Sequence, residues 1–135
     1  MKITVLLLFF FFIFYSSSLE MEIIVNHSVP ETKYTVNDLR SIFAMQYQIW
    51  PNGKKIHVFV LSDDDPIHRK FTKTKLNMFP HQFRRIWDRL IFSGTGQGPR
   101  QVVSMEEMIK KIMTTPNSIG YADYEPINNK IRILK

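Results

Sequence analysis

No cysteine occurs in the chain, so disulfides, thiolate nucleophiles, zinc–thiolate centres and lipid attachment through cysteine are all excluded. Four histidines are present, at 27, 57, 68 and 81, but no two share a metal-ligand spacing on one helix, and a metal site has no basis. No serine is flanked by glycines as a nucleophile elbow, and none stands with a His and an Asp in recognisable context. The glycine-rich stretch Ser93 to Pro99 lacks the lysine that follows a phosphate-cradling loop. Enzyme, metal and cofactor functions are therefore not expected. Glycine is scarce, five residues against seven prolines, and all twelve lie beyond residue 19, where they divide the chain at short intervals. Neither a linker nor a repeat is present, and 135 residues exclude two independent cores.

The first 18 residues stand apart in composition. Lys2 is their one charge, Ile3 to Tyr15 is apolar except for Thr4, and Ser16-Ser17-Ser18 follows. A basic start, a short apolar core and small residues form a secretory signal peptide, with cleavage expected near Ser18 and a mature domain over 19–135. The apolar core is too short for a hydrocarbon layer about 30 Å thick, so no transmembrane span is expected after cleavage. The competing assignment is an uncleaved anchor from Ile3 to Leu19, at the lower edge of spanning length. The formal charge is +6, and loss of Lys2 with the leader lowers it to +5. A basic exported domain favours anionic company. Charge alone would admit nucleic acid, but the expected periplasmic compartment argues against it.

Beyond the leader, Met21 to Asn26 is a β-branched run that reads as a buried strand, and Ile56 to Leu61 is the clearest strand. Between them Thr35 and Asp38 frame a capping-box start for a helix bearing Val36, Leu39, Ile42 and Phe43, and Trp50-Pro51-Asn52-Gly53 makes a turn. Asp65 is a natural N-cap with Pro66 at the first helical position of a segment running towards Leu76. Pro80 starts another helix, with Phe83, Ile86, Trp87 and Leu90 on one face and Arg84, Arg85, Asp88 and Arg89 outside. Ser104, with Glu107 at the reciprocal position, caps a further helix placing Met105, Met108, Ile109 and Ile112 inside. Ile119 to Tyr121 and Ile131 to Leu134 read as strands. Alternating strands and helices predict a three-layer α/β domain.

Ligands in open α/β sheets bind beyond the carboxyl ends of strands, which points to Ser62, Asp63 and Asp65 and to His68 and Arg69 in the first helical turn. The bland alternative is a solvated acidic turn with a solvated basic helix face. Calcium would need a glycine-spaced loop with a distal glutamate, which does not follow. Ser93, Thr95 and Gln97 join the candidates because their loop offers backbone N–H groups to an anion.

Several blocks in order carry a resemblance. They are Leu39-Arg40-Ser41-Ile42-Phe43, Trp50-Pro51-Asn52-Gly53 with the strand Ile56 to Val60, Phe71, Trp87, Leu90-Ile91-Phe92-Ser93-Gly94, and Pro116-Asn117-Ser118-Ile119-Gly120-Tyr121. From Tyr34 to about Asp123 the chain resembles the phosphate-binding-protein-like branch of periplasmic solute-binding proteins, in its short single-lobe form. The resemblance implies one three-layer lobe of a type 2 periplasmic-binding-protein-like fold and a small oxyanion as ligand. It also implies a second copy or another envelope protein to complete the site. Against the family pattern, Leu61 stands where an arginine is usual, Asp63 keeps the acid, Asp65-Pro66-Ile67 replaces Ser-Gly-Thr, and His68 takes a further arginine position. An aspartate 4 Å from an oxyanion repels it by about 1 to 4 kcal/mol, so tight phosphate binding by this lobe alone is not expected. A non-transport interaction module of the envelope, using the face around Arg84, Arg85 and Arg89, is the alternative.

Overall fold

Capping side chains set the helix starts in the computed structural model, which describes residues 20–135; the expected leader lies outside them. Thr35 and Asp38 exchange bonds with each other's backbone N–H, at 3.1 and 2.8 Å, to open α1 (Val36–Phe43). Asp65 accepts from the Ile67 N–H at 2.8 Å and Pro66 takes the first position of α2 (Pro66–Lys75). Pro80 likewise opens α3 (Pro80–Phe92), where Gln82 Oε1 accepts from the Phe79 N–H. Ser104 caps α4 (Met105–Thr114) through the Glu107 N–H. The expected reciprocal bond is displaced by one residue, because the Glu107 carboxylate accepts from the Val103 N–H and so fixes the approach to the helix.

Five strands form one sheet in the order β3-β2-β4-β1-β5: β1 (Glu22–Asn26), β2 (His57–Val60), β3 (Arg100–Gln101), β4 (Ser118–Ala122) and β5 (Ile131–Ile133). β2 runs parallel to both β3 and β4, while β1 is antiparallel to β4 and β5. Side chains alternate across the sheet. Tyr121 faces the side covered by α1 and α2, where its ring stacks on Phe71 at 3.9 Å and lies 6.3 Å from Phe43. Gly120 faces α4, and a Cβ there would meet Met108 Sδ at 2.6 Å, so the helix lies on the strand only because that position has no side chain. Asn26, buried on the same face, donates to the Ile112 carbonyl at the end of α4. The three layers are thus α4, the sheet, and α1 with α2 and α3.

Trp87 anchors α3. It is 1% exposed, stacks near Phe83, and satisfies its indole N–H on the Phe43 carbonyl at 2.8 Å. Burial of such a ring contributes about 1.5 to 3 kcal/mol, provided its polar atom is paired. Three details differ from the sequence pattern. Val36 is exposed, because the short α1 turns only Ile42 and Phe43 fully inward. Leu39, Ile86 and Leu90 are half-buried at the rim of the core. Arg84 is not an outward surface cation, since its guanidinium lies over the Trp87 ring at 5.2 Å and turns to the acidic segment before α2. Among the described residues no helix is long and apolar enough to cross a membrane.

Candidate functional site

The connections leaving β2 and β3 diverge. From β2 the chain passes to α2 on one face of the sheet, and from β3 it passes to α4 on the other. Two adjacent parallel strands whose continuations part in this way open a crevice beyond their carboxyl ends, the usual ligand position in such sheets. Its walls are the turn from Ser62 to Asp65 and the segment from Val102 to Ser104, joined at the base by the Val102 N–H donating to the Val60 carbonyl at 2.8 Å.

Both helix amino termini at this crevice are occupied by the chain's own oxygens. Asp65 closes α2, and Ser104 with Glu107 closes α4. The backbone of the acidic turn is fixed as well, by the Asp65 N–H donating to the Ser62 carbonyl at 2.9 Å. Asp63 is not the freely solvated carboxylate that the bland alternative describes. Arg84 grips it through two bonds, Nε to Oδ2 at 2.8 Å and an Nη to Oδ1 at 3.2 Å, and this hydrogen bonding holds the guanidinium proton more firmly than usual. Asp64 is exposed.

His68 lies beneath this turn at 1% exposure, in contact with Tyr121 rather than on a solvated helix face. Tyr121 Oη accepts from the Leu61 N–H at 2.7 Å and lies 2.5 Å from His68 Nδ1. With one lone pair engaged by Leu61, the phenol is best satisfied by donating to Nδ1. That assignment places the imidazole proton on Nε2, facing Asp63 Oδ1 at 3.8 Å. Among the described residues Nε2 has no hydrogen-bond partner. Burial pushes the His68 pKa below its ordinary 6.5, partly opposed by the charges of Asp63 and Asp65. Burial likewise pushes the Tyr121 phenol far above 10.0, so it remains an O–H donor. Arg69 projects outward from the same turn of helix.

Ser62, Asp63, Asp65 and His68 therefore meet at one end of the sheet, and Ser93, Thr95 and Gln97 do not join them. α3 carries the chain back to the amino ends of the strands, where Gln97 lines a groove with Ile56 and His57 at the start of β2. Ser93 and Thr95 bond each other there, Oγ to Oγ1 at 2.7 Å. Sequence reasoning did not pick out Tyr121, Arg84 or Glu107 for the site. Tyr121 and Arg84 come to it from distant positions with no local motif, whereas the signal at Glu107 is a capping signal, which marks a helix start and not a site. Among the described residues no group of three side chains could hold a metal ion.

No family model matches the chain, and no curated protein matches it significantly. Solved structures share its fold. An ABC-type phosphate transport receptor from Vibrio cholerae superposes with a TM-score of 0.62 at 14% identity, over 86% of this chain and 45% of the receptor. PstS from Borrelia burgdorferi gives 0.57 at 21% identity, over 76% of this chain and 40% of that protein. The chain thus spans less than half the length of either. The α/β lobe expected from the sequence is the fold observed, in its single-lobe extent.

Proposed function

We propose that the chain is an exported solute-binding-type lobe, related to phosphate-binding receptors, that does not hold phosphate tightly by itself. One observation carries this reading: the α2 amino terminus at the crevice is capped by the carboxylate of Asp65, where an incoming oxyanion would need free N–H groups. Arg84 is committed to Asp63, and Arg69 in the first turn of α2 projects outward. In this reading the crevice has one wall here, and a second copy or another envelope protein supplies the other together with the missing positive charge. The fold likeness to transport receptors supports a binding role over catalysis.

The test is calorimetry with inorganic phosphate at low salt on the wild type and Asp65→Ser. Serine keeps a capping oxygen and removes the charge. Weak or absent binding by the wild type, strengthened in Asp65→Ser, is the expected result. Tight binding by the wild type, weakened by the substitution, would show that the acidic turn belongs to a working phosphate site. The interaction-module alternative loses part of its basis, because Arg84 is engaged within the fold and leaves only Arg85 and Arg89 on that helix face.

A further inference from the structure

At the opposite end of the parallel strands lies a groove of ≈ 240 Å³, formed where the segment after α1, the start of β2 and the loop before β3 meet. Lys55, His57 and Arg100 line it, with Gln48 and Gln97 as neutral amides. No carboxylate does. Among the described residues none of the three basic side chains forms an ion pair, in contrast to Arg84 at the other end. Arg100 is in register with Phe59, four residues beyond Lys55, a separation of roughly 13 Å along an extended chain. Both long side chains nevertheless border one cavity. They bracket it from different elements, so a ligand that engages both needs negative charge at two points. Gly96 and Gly98 on either side of Gln97 let that wall lie close on α3, since a Cβ would meet Leu90 at 3.6 Å from Gly96 and Ile91 at 3.3 Å from Gly98.

We propose that this groove is a binding site for a small polyanion with negative charge at two points, for which pyrophosphate is the probe, clamped between Lys55 and Arg100 with the Gln97 loop as its wall. The site is independent of the crevice at the carboxyl ends. The unrelieved positive field acts on His57 together with its burial. Burial first, and then the charges of Arg100 and Lys55, hold its pKa below the ordinary 6.5. Lys55 precedes it in the chain and Arg100 faces it from β3. The segment after α1 contributes Met45 and Gln48, and the loop contributes Gly96 to Pro99, none of them ionisable. A bound polyanion reverses the field, so His57 takes up a proton more readily, and by linkage binding strengthens as pH falls.

The experiment follows the His57 ring resonance by NMR across pH in the purified protein at low salt. It is run with no addition, with pyrophosphate, and with sodium chloride at matched ionic strength; His57→Gln assigns the signal. Pyrophosphate should raise the His57 midpoint saturably and more than chloride does, and leave the His68 signal in place. Lys55→Gln with Arg100→Gln should weaken pyrophosphate binding about tenfold or more, the loss expected when charge-assisted contacts are removed. Both side chains are exposed, and circular dichroism confirms that the variant keeps the fold. A midpoint moved equally by chloride means screening only and overturns the proposal. Unchanged pyrophosphate affinity in the double variant overturns it as well.

Discussion

The two ends of the parallel strands treat charge in opposite ways. At the carboxyl ends Asp63 is held by Arg84, Asp65 and Ser104 close helix termini, and His68 is buried against Tyr121. At the amino ends Lys55, His57 and Arg100 face a groove with no counter-charge. A polar group satisfied within the fold contributes to stability, and removing its partner costs the desolvation of what remains. A charge left facing solvent contributes almost nothing to stability and stays free for a ligand. The carboxyl end therefore commits its charged and polar side chains within the fold, whereas the amino end leaves Lys55, His57 and Arg100 without a counter-charge.

Substitutions should separate the two ends in graded steps. The largest loss is expected for Trp87→Ala, which removes the ring packed beneath Arg84 and leaves the Phe43 carbonyl without its donor. About 3 to 5 kcal/mol should be lost in urea unfolding, and less than about 1 would place Trp87 outside the core. Tyr121→Phe keeps the stacked ring but strands the Leu61 N–H and His68 Nδ1, at a cost of about 1 to 3 kcal/mol by the same measurement.

Acid should weaken the fold through the buried histidine. The folded His68 pKa lies below 6.5, so the unfolded chain binds the proton first as pH falls. Stability is then full above about 6.5 and declines below it, by up to about 1.4 kcal/mol per pH unit for this group. His57 shifts in the same direction, so the slope is to be compared in His68→Gln and His57→Gln. The larger flattening is expected in His68→Gln, and an equal effect from both would erase the contrast between the ends. Asp65→Ser should change stability by less than about 0.5 kcal/mol, since the two residues cap comparably. An equally small effect is expected of Lys55→Gln with Arg100→Gln, which should leave the unfolding free energy within about 0.5 kcal/mol of the wild type, as exposed substitutions do.

Local chemistry made much of this fold legible. Thr35 with Asp38, Asp65-Pro66 and Ser104 each mark a helix start by residues within four positions of one another, and the Phe83 and Trp87 spacing marks a buried face. β3 escaped notice because it is two exposed residues, too short to show alternation. The antiparallel insertion of β1 between β4 and β5 leaves no sign in β1 itself, whose apolar run suits either direction. At the site the sequence placed Asp63, Asp65 and His68 together because they are neighbours in the chain. It could not show that Arg84, 21 residues away, neutralises one of them, or that Tyr121 holds another from 53 residues away. Ser93, Thr95 and Gln97 share the chemistry of that turn and not its place, because the return path of α3 is a property of three dimensions.

The place of β1 also sets a timetable for synthesis. Ile24 pairs with Gly120 on one side and Ile133 on the other, so this strand leaves the ribosome long before either neighbour exists. Contacts so far apart in sequence close slowly and late. A growing chain therefore carries an apolar strand that cannot be sheltered until almost all the residues up to Ile133 have followed it, which keeps the polypeptide open for as long as it is being made.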